Sequence, residues 1–261
     1  MSRNVTFDFT GKAALVIGGT SGIGWATARA FARAGAKVAV CGLASPEAPD
    51  VERQLREDGA PDALFLPLDV RSAPEVERAV AKVAQRFGGF QIAVNNAGIE
   101  GRFGPLETLE PEDFDQLVSV NLRGVWCGMK YEILHMTAQE GGGRGGVIVN
   151  TASNAGIKSI PNISVYSATK HGIIGLTKGA ALEQAAKGIR VNAVAPGPVA
   201  TGLLSRMVAG HIALDDIARS VPMGRISTPE EIADAILWLA SDAASYVTGE
   251  TVVIDGGATQ G

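Results

Sequence analysis

Three residues in the middle of the chain have types and spacing suited to moving a proton. Ser153 closes an apolar run, Tyr166 follows thirteen positions later, and Lys170 stands four beyond that. The stretch SVYSATKHGIIGLTKGAALEQAA carries its apolar residues at helical spacing. An i, i+4 pair on a helix shares one face within side-chain reach. An ammonium beside a phenol favours the phenolate, so Tyr166 is expected to titrate below its ordinary value of about 10. A tyrosine tuned that way serves as a general acid or base near neutral pH. Ser153 can hold a carbonyl or alcohol oxygen next to it. The pair also reads as a tyrosine packed on a surface helix beside a solvated lysine, and the rest of the chain decides between these readings.

The elements that must position these residues alternate along the chain. Lys12 to Ile17 (KAALVI) is an almost continuous apolar run, as expected for a strand buried on both faces of a parallel sheet. GGTSGIG follows, then a helix over Trp25 to Ala34, with Ile23, Ala26, Thr27, Ala30 and Phe31 at helical spacing and Gly35 at its end. KVAVCG, ALFLPLDV and FQIAVNNAG read as the next strands, separated by helices over about 51–58 and 74–87. A long helix over 111–137 opens on Glu110, Glu112 and Asp113, acids that suit a helix N-terminus. GGVIVNTAS, the tyrosine helix and GIRVNAVAPG come next, then a looser stretch over 198–221. The last helix starts at Pro229 with Thr228 as N-cap and Glu230 and Glu231 in its first turn, and TVVIDGG is the last strand.

Regular strand–helix alternation predicts a doubly wound, Rossmann-type α/β fold. It would be a seven-stranded parallel sheet flanked by helices on both faces, three layers in α/β/α order. No linker, low-complexity tract or repeat marks a boundary, so residues 1–261 read as one dinucleotide-binding and catalytic domain, with 198–221 as a flexible lid.

A net charge of −4 without a basic cluster argues against nucleic acid as a partner. The opening MSRNVTFDFTGK has no apolar signal core, and no run approaches the roughly 18 apolar residues of a membrane span. Cys41 and Cys127 fall in an apolar strand and a helix, which predicts reduced core thiols and a cytoplasmic location. His135, His171 and His211 are scattered without ligand spacing, so no metal site is expected.

Gly18, Gly22 and Gly24 lie between a buried strand and a helix, with Thr20, Ser21 and Ile23 among them. Missing side chains let the backbone turn sharply and approach a pyrophosphate, whose charge meets the free N–H groups of the helix. The spacing G-x3-G-x-G departs from the common dinucleotide fingerprint G-x-G-x-x-G.

With the glycine loop, NNAG and the Ser–Tyr–Lys set together, the chain resembles the short-chain dehydrogenase/reductase family of the compact one-domain type, from about Phe9 to Gly257. GGTSGIG resembles that family's cofactor loop, with Ile17 where a threonine is usual. The resemblance implies that Asp69 and Val70 receive the adenine ring and that Asn95, Asn96, Ala97 and Gly98 steady the sheet and line the cofactor. It implies that Asn121 holds a water in a proton relay and that Pro196, Gly197, Val199 and Thr201 form the nicotinamide-side loop. Ser153, Tyr166 and Lys170 match the catalytic trio, with Tyr166 as acid/base and Lys170 also holding the nicotinamide ribose. The implied reaction is hydride transfer between a nicotinamide and a carbonyl or secondary alcohol substrate. Epimerase or dehydratase relatives carry larger substrate domains. A catalytically silent nucleotide sensor or scaffold would be free to lose one of the four catalytic residues, and this chain keeps them.

An acid at the end of the second strand marks NAD, and an arginine nearby marks NADP. That stretch here is Cys41-Gly42-Leu43-Ala44-Ser45, so no acid repels a phosphate and no arginine follows to attract one. Lys37 lies at the opposite end of the strand, whereas Thr20, Ser21 and Ser45 offer hydroxyls; the reading leans to NADP over NAD. The substrate is expected against Asn154, Arg102 in Gly101-Arg102-Phe103, and Leu203, Leu204 and Met207. Arg102 reads either as a recogniser of acidic substrates or as a solvated surface residue. By resemblance the chain forms a homotetramer through the long helices after the fourth and fifth strands, though their apolar residues would equally pack on the sheet.

Overall fold

Short runs of buried aliphatic residues, each followed by an amphipathic helix, give the computed structural model its order; it describes residues 5–43 and 50–260. Ala44 and Ser45 lie outside the described residues. In the first half come β1 (Ala13–Ile17), α1 (Gly22–Arg33), β2 (Lys37–Gly42), α2 (Val51–Glu57), β3 (Ala63–Pro67), α3 (Ala73–Phe87) and β4 (Ile92–Asn95). The second half holds α4 (Pro111–Leu117), α5 (Gly124–Ala138), β5 (Gly146–Thr151), α6 (Ser164–Gln184), β6 (Ile189–Pro196), α7 (Gly202–Val208), α8 (Leu214–Ser220), α9 (Pro229–Ala240) and β7 (Thr251–Ile254).

All seven strands pair in parallel in the order β3-β2-β1-β4-β5-β6-β7. The chain winds outward one way from β1 to β3 and the other way from β4 to β7, so the direction reverses between β1 and β4. There Ile17 stands opposite both Cys41 and Asn95. Ligands of such sheets bind at that crevice, outside the carboxyl ends of the strands.

The central strands β1, β4 and β5 are buried on both faces, and their side chains alternate between the two with period two. In β1, Val16 joins a cluster with Phe31 of α1 and Ile232 and Ile236 of α9, while Leu15 and Ile17 join Val80 and Val83 of α3 and Ile173 of α6. Each such side chain, taken fully from water, contributes about 1.5–3 kcal/mol. These two clusters are the interfaces of the α/β/α layers.

Three boundaries differ from the sequence reading. α1 begins at Gly22, not at Trp25, because the glycine loop itself forms the first turn. The long helix over 111–137 is interrupted: residues 118–123 form a π-helical turn between α4 and α5. Asn121 sits in that turn, where its Oδ1 accepts from Ile99 N (2.8 Å) and its Nδ2 donates to Ile99 O (2.9 Å). Inserted π turns of this kind recur at functional sites. The stretch 198–221 is not loose but contains α7 and α8, and Thr201 caps α7 by accepting from Leu204 N (3.4 Å). α9 starts as expected, with Thr228 N–H donating to Glu231 Oε2 (2.9 Å).

A polar chain crosses the layer between the sheet and α5. Asn95 Nδ2 donates to Glu132 Oε2 and to Asn150 Oδ1 (both 3.0 Å), and Asn150 Nδ2 donates to Thr177 Oγ1 (2.9 Å). This network ties β4, β5, α5 and α6 together directly beneath the site.

Candidate active site

The carboxyl ends of β4 and β5 and the first turns of α6 bring the proton-handling residues together. Ser153 lies just past β5 in extended backbone and caps a short turn over Asn154–Gly156, its Oγ accepting from Ala155 N (3.1 Å). Tyr166 and Lys170 stand one helical turn apart on α6, with Lys170 Nζ 5.5 Å from the centre of the Tyr166 ring. Lys170 Nζ also donates to Thr151 O (2.9 Å), which fixes the ammonium at the end of β5. All three side chains are buried.

Burial reverses the expected direction of the Tyr166 shift. Loss of water pushes the phenol up to about 12; Ser153, hydrogen-bonded to it, pulls it down, and the charge of Glu100 pushes it further up. Burial likewise lowers Lys170 to about 8, so the ammonium beside the phenol is itself weakened. An i, i+4 spacing brings the two groups together, but desolvation, which depends on the surrounding fold, dominates here. Below about 12 the phenol keeps its proton, as a hydrogen-bond or proton donor must.

Tyr166 and Lys170 form one wall of a cavity of about 620 Å³ along the strand ends. The glycine loop is at its other end: Gly18, Thr20, Ser21, Gly22 and Ile23 line it. So do Gly42 and Leu43 at the end of β2, Asp69 and Val70 after β3, and Ala97 and Gly98 after β4. Pro196 at the end of β6, and Gly197, Val199 and Thr201 beyond it, line the cavity as well. Gly18 has φ +79°, and a Cβ there would lie 2.4 Å from Ala97 N. A Cβ on Gly24 would lie 2.1 Å from Gly18 O, so Gly24 stays outside the lining and lets the loop and helix approach each other.

These residues fit a dinucleotide. Ser21 does not cap α1 with its side chain and no acid stands in the first turn, which leaves the helix N-terminus open to a pyrophosphate. Among the described residues after β2, no carboxylate lines the cavity. Lys37 is at the far end of that strand and donates to Phe87 O (3.4 Å). Asp69, expected to face an adenine, is held by Arg71, whose Nη2 lies 2.6 Å from Asp69 Oδ2. Arg71 lines the same end of the cavity and was not singled out in the sequence, because nothing in its spacing marks it.

Asn95 and Asn121 lie outside the lining and act on it through neighbours. Asn95 anchors the buried polar network, and Asn121 clasps the Ile99 backbone rather than Lys170. Toward α7, Asn154, Leu203, Leu204 and Met207 line the cavity, together with Ile160, Ile163 and Arg206. Arg102 does not: it is half exposed and pairs with Asp113 at 3.7 Å, which corrects its placement against the substrate. The arginine of this region that does line the cavity is Arg206 on α7, which the sequence alone does not distinguish from other surface arginines.

Known proteins resemble this chain over most of its length. Residues 18–259 match the family described as Enoyl-(Acyl carrier protein) reductase. The chain is 41% identical over 253 residues to 2,5-dichloro-2,5-cyclohexadiene-1,4-diol dehydrogenase of Sphingobium indicum, covering 97% of this chain and 98% of that one. It is 38% identical over 259 residues to cyclohexanol dehydrogenase of an Acinetobacter strain, covering 99% of each. The crystal structure of a short-chain type dehydrogenase/reductase from Mycobacterium marinum superposes with a TM-score of 0.89 at 36% identity, covering 97% of each chain.

Proposed function

The chain belongs to the short-chain dehydrogenase/reductase family, and from that premise we propose which of its residues carry the reaction and what it acts on. It is an NAD(P)-dependent oxidoreductase that transfers a hydride between nicotinamide and a carbonyl or secondary alcohol. The cofactor supplies the hydride chemistry; the protein supplies position and the proton.

In this proposal Tyr166 gives its proton to the reacting oxygen in reduction and takes it back in oxidation. Ser153 hydrogen-bonds the same oxygen and orients it. Lys170, held by Thr151 O, steadies the cofactor ribose and, at about 8, can exchange a proton near neutral pH. Asn121 fixes the Ile99 backbone and helps return the proton from solvent. The observation that carries the reading is the burial of Ser153, Tyr166 and Lys170 in one wall of the cavity whose far end is the glycine loop.

The proposed site residues for the cofactor are Gly18, Thr20, Ser21, Gly22, Ile23, Gly42, Leu43, Asp69, Val70, Ala97, Gly98, Pro196, Gly197, Val199 and Thr201, with Tyr166 and Lys170, and with Gly24 and Asn95 supporting them from outside the lining. NADP is preferred over NAD, supported by Gly42 standing where an acid would repel the phosphate and by the hydroxyls of Thr20 and Ser21. The substrate is a ring alcohol or ketone. Support comes from the ring alcohols named in the two relatives and from the apolar wall of Ile160, Ile163, Leu203, Leu204 and Met207. The chain works as one domain with residues 198–221 as the lid.

No helix among the described residues is long and apolar enough to cross a membrane. The proposed setting is cytoplasmic, in keeping with two free, buried cysteines, Cys41 and Cys127. The proposed assembly is a homotetramer through α4, α5 and α6, which expose Phe114, Trp126, Leu134 and Leu182. Light scattering behind a sizing column tests it, and a monomer at micromolar concentration would refute it.

Titration with NADPH and NADH, read by nicotinamide fluorescence, tests the functional reading. NADPH is expected to bind at least tenfold more tightly, about 1.4 kcal/mol. The reverse order would overturn the NADP preference, and failure of both to bind would overturn the enzyme reading.

A further inference from the structure

The lid is fastened to the loop after β4 at two points beside Tyr166. Arg206 on α7 places Nε 2.6 Å from Glu100 Oε1 and Nη2 3.3 Å from Glu100 Oε2. Just past α7, the His211 ring stacks on Phe103 with centres 4.5 Å apart. Met207 and Phe103 pack in the small apolar cluster that contains Tyr166. Glu100 follows Ile99, whose backbone Asn121 holds, so the carboxylate stands on a fixed segment.

Arg206 is the one cation on the lid side of the cavity among the described residues. The other charged lining groups are committed elsewhere: Asp69 and Arg71 to each other at the far end, and Lys170 to Thr151 O. Arg102, near the same loop, pairs with Asp113. With Glu100 bound in two-point fashion, Arg206 offers a substrate no free charge, and the remaining lid-side wall is mostly apolar. An arginine released from such a pair would meet a carboxylate in the same two-point geometry.

We propose that Glu100 is a specificity-determining residue: by holding Arg206 it withholds that guanidinium from the substrate and restricts the site to uncharged compounds. The charge on Glu100 reaches Tyr166 as well, so an anionic group brought into this corner would meet a carboxylate first whenever Arg206 swings away. The inference deepens the proposed function and rests on it for the ring substrates.

The test uses the wild type, Glu100→Gln, Arg206→Gln and the double variant. Binding of cyclohexanone and of 4-oxocyclohexanecarboxylate is measured by calorimetry on enzyme carrying oxidised cofactor, where no turnover occurs. Glu100→Gln is expected to raise affinity for the carboxylate relative to the neutral ketone at least tenfold, and the double variant to lose that gain. Labelling of Arg206 by phenylglyoxal, followed by peptide mass spectrometry, reads the same event without any substrate. It should be at least fivefold faster in Glu100→Gln. Unchanged labelling, or faster labelling without the gain in carboxylate affinity, would overturn the proposal. If no ring compound binds any variant, the ring-substrate reading falls instead, and labelling alone decides whether Glu100 withholds Arg206.

Discussion

Replacing Glu132 by glutamine should make the protein more stable at pH 8 and remove part of its pH dependence. Glu132 lies on α5 with no exposed surface, and burial pushes its carboxyl up to about 8 against a partial pull downward from the Asn95 hydrogen bond. Its Oε1 and the Asn95 Oδ1 are both buried without a hydrogen-bond partner. Both close on Gly128, where an added Cβ would lie 2.2 Å from Asn95 Oδ1 and 3.4 Å from Glu132 Oε1. A proton on Oε1 would supply the donor that this pair of acceptors lacks. The folded chain therefore keeps a proton that the unfolded chain releases near 4.5. The stability contributed by that proton is fully present below 4.5 and is lost as pH rises through about 8. At about 1.4 kcal/mol per pH unit, the loss between pH 5.5 and 8 is about 3 kcal/mol. Urea unfolding of wild type and Glu132→Gln at both pH values isolates this group, because other titrating residues cancel in the difference. Parallel loss of stability in the two proteins, or a Gln variant less stable at pH 8, would refute the reasoning.

Two further substitutions test the glycine loop and a surface anchor. Gly24→Ala should destabilise by about 1–3 kcal/mol through overpacking, since its Cβ would press on Gly18 O, and it should weaken binding of NADPH at least tenfold; an unchanged urea midpoint and affinity would contradict the close-approach role. Burial opposes the charge on Asp58, but Arg29 and Arg33 outweigh it and hold the carboxyl below 3.8. The stability it brings is present above 3.8 and lost as pH falls through its folded value. Asp58→Asn should cost about 1 kcal/mol at pH 7, after allowance for the exposed arginines. Thermal melts should show the gap to wild type closing toward pH 3, and a constant gap would count against the ion pairs.

The sheet was legible because burial on both faces of a parallel strand leaves a continuous apolar run, as in Ala13–Ile17, and helix periods between such runs leave little other choice of fold. The closeness of Tyr166 and Lys170 was legible for a similar reason, since they are local neighbours on one helix. What escaped the sequence depends on contacts distant along the chain. The π turn at Asn121 coincides with its clasp on Ile99, and no helical pattern records that partner. The upward shift of Tyr166 comes from the elements that bury it. Arg102 and Arg206 look alike as residues, yet the fold turns one toward Asp113 and the other toward Glu100 at the cavity. The helices α7 and α8 have seven residues each, too short for an apolar period to declare itself.

The central claim is that Tyr166 moves the proton at the reacting oxygen, and Tyr166→Phe tests it with one atom removed. Turnover of a ring ketone with NADPH should fall by about 10²–10⁴-fold, while NADPH affinity measured by fluorescence stays within a few-fold of wild type. Retained turnover in a variant that still binds NADPH would contradict the assignment.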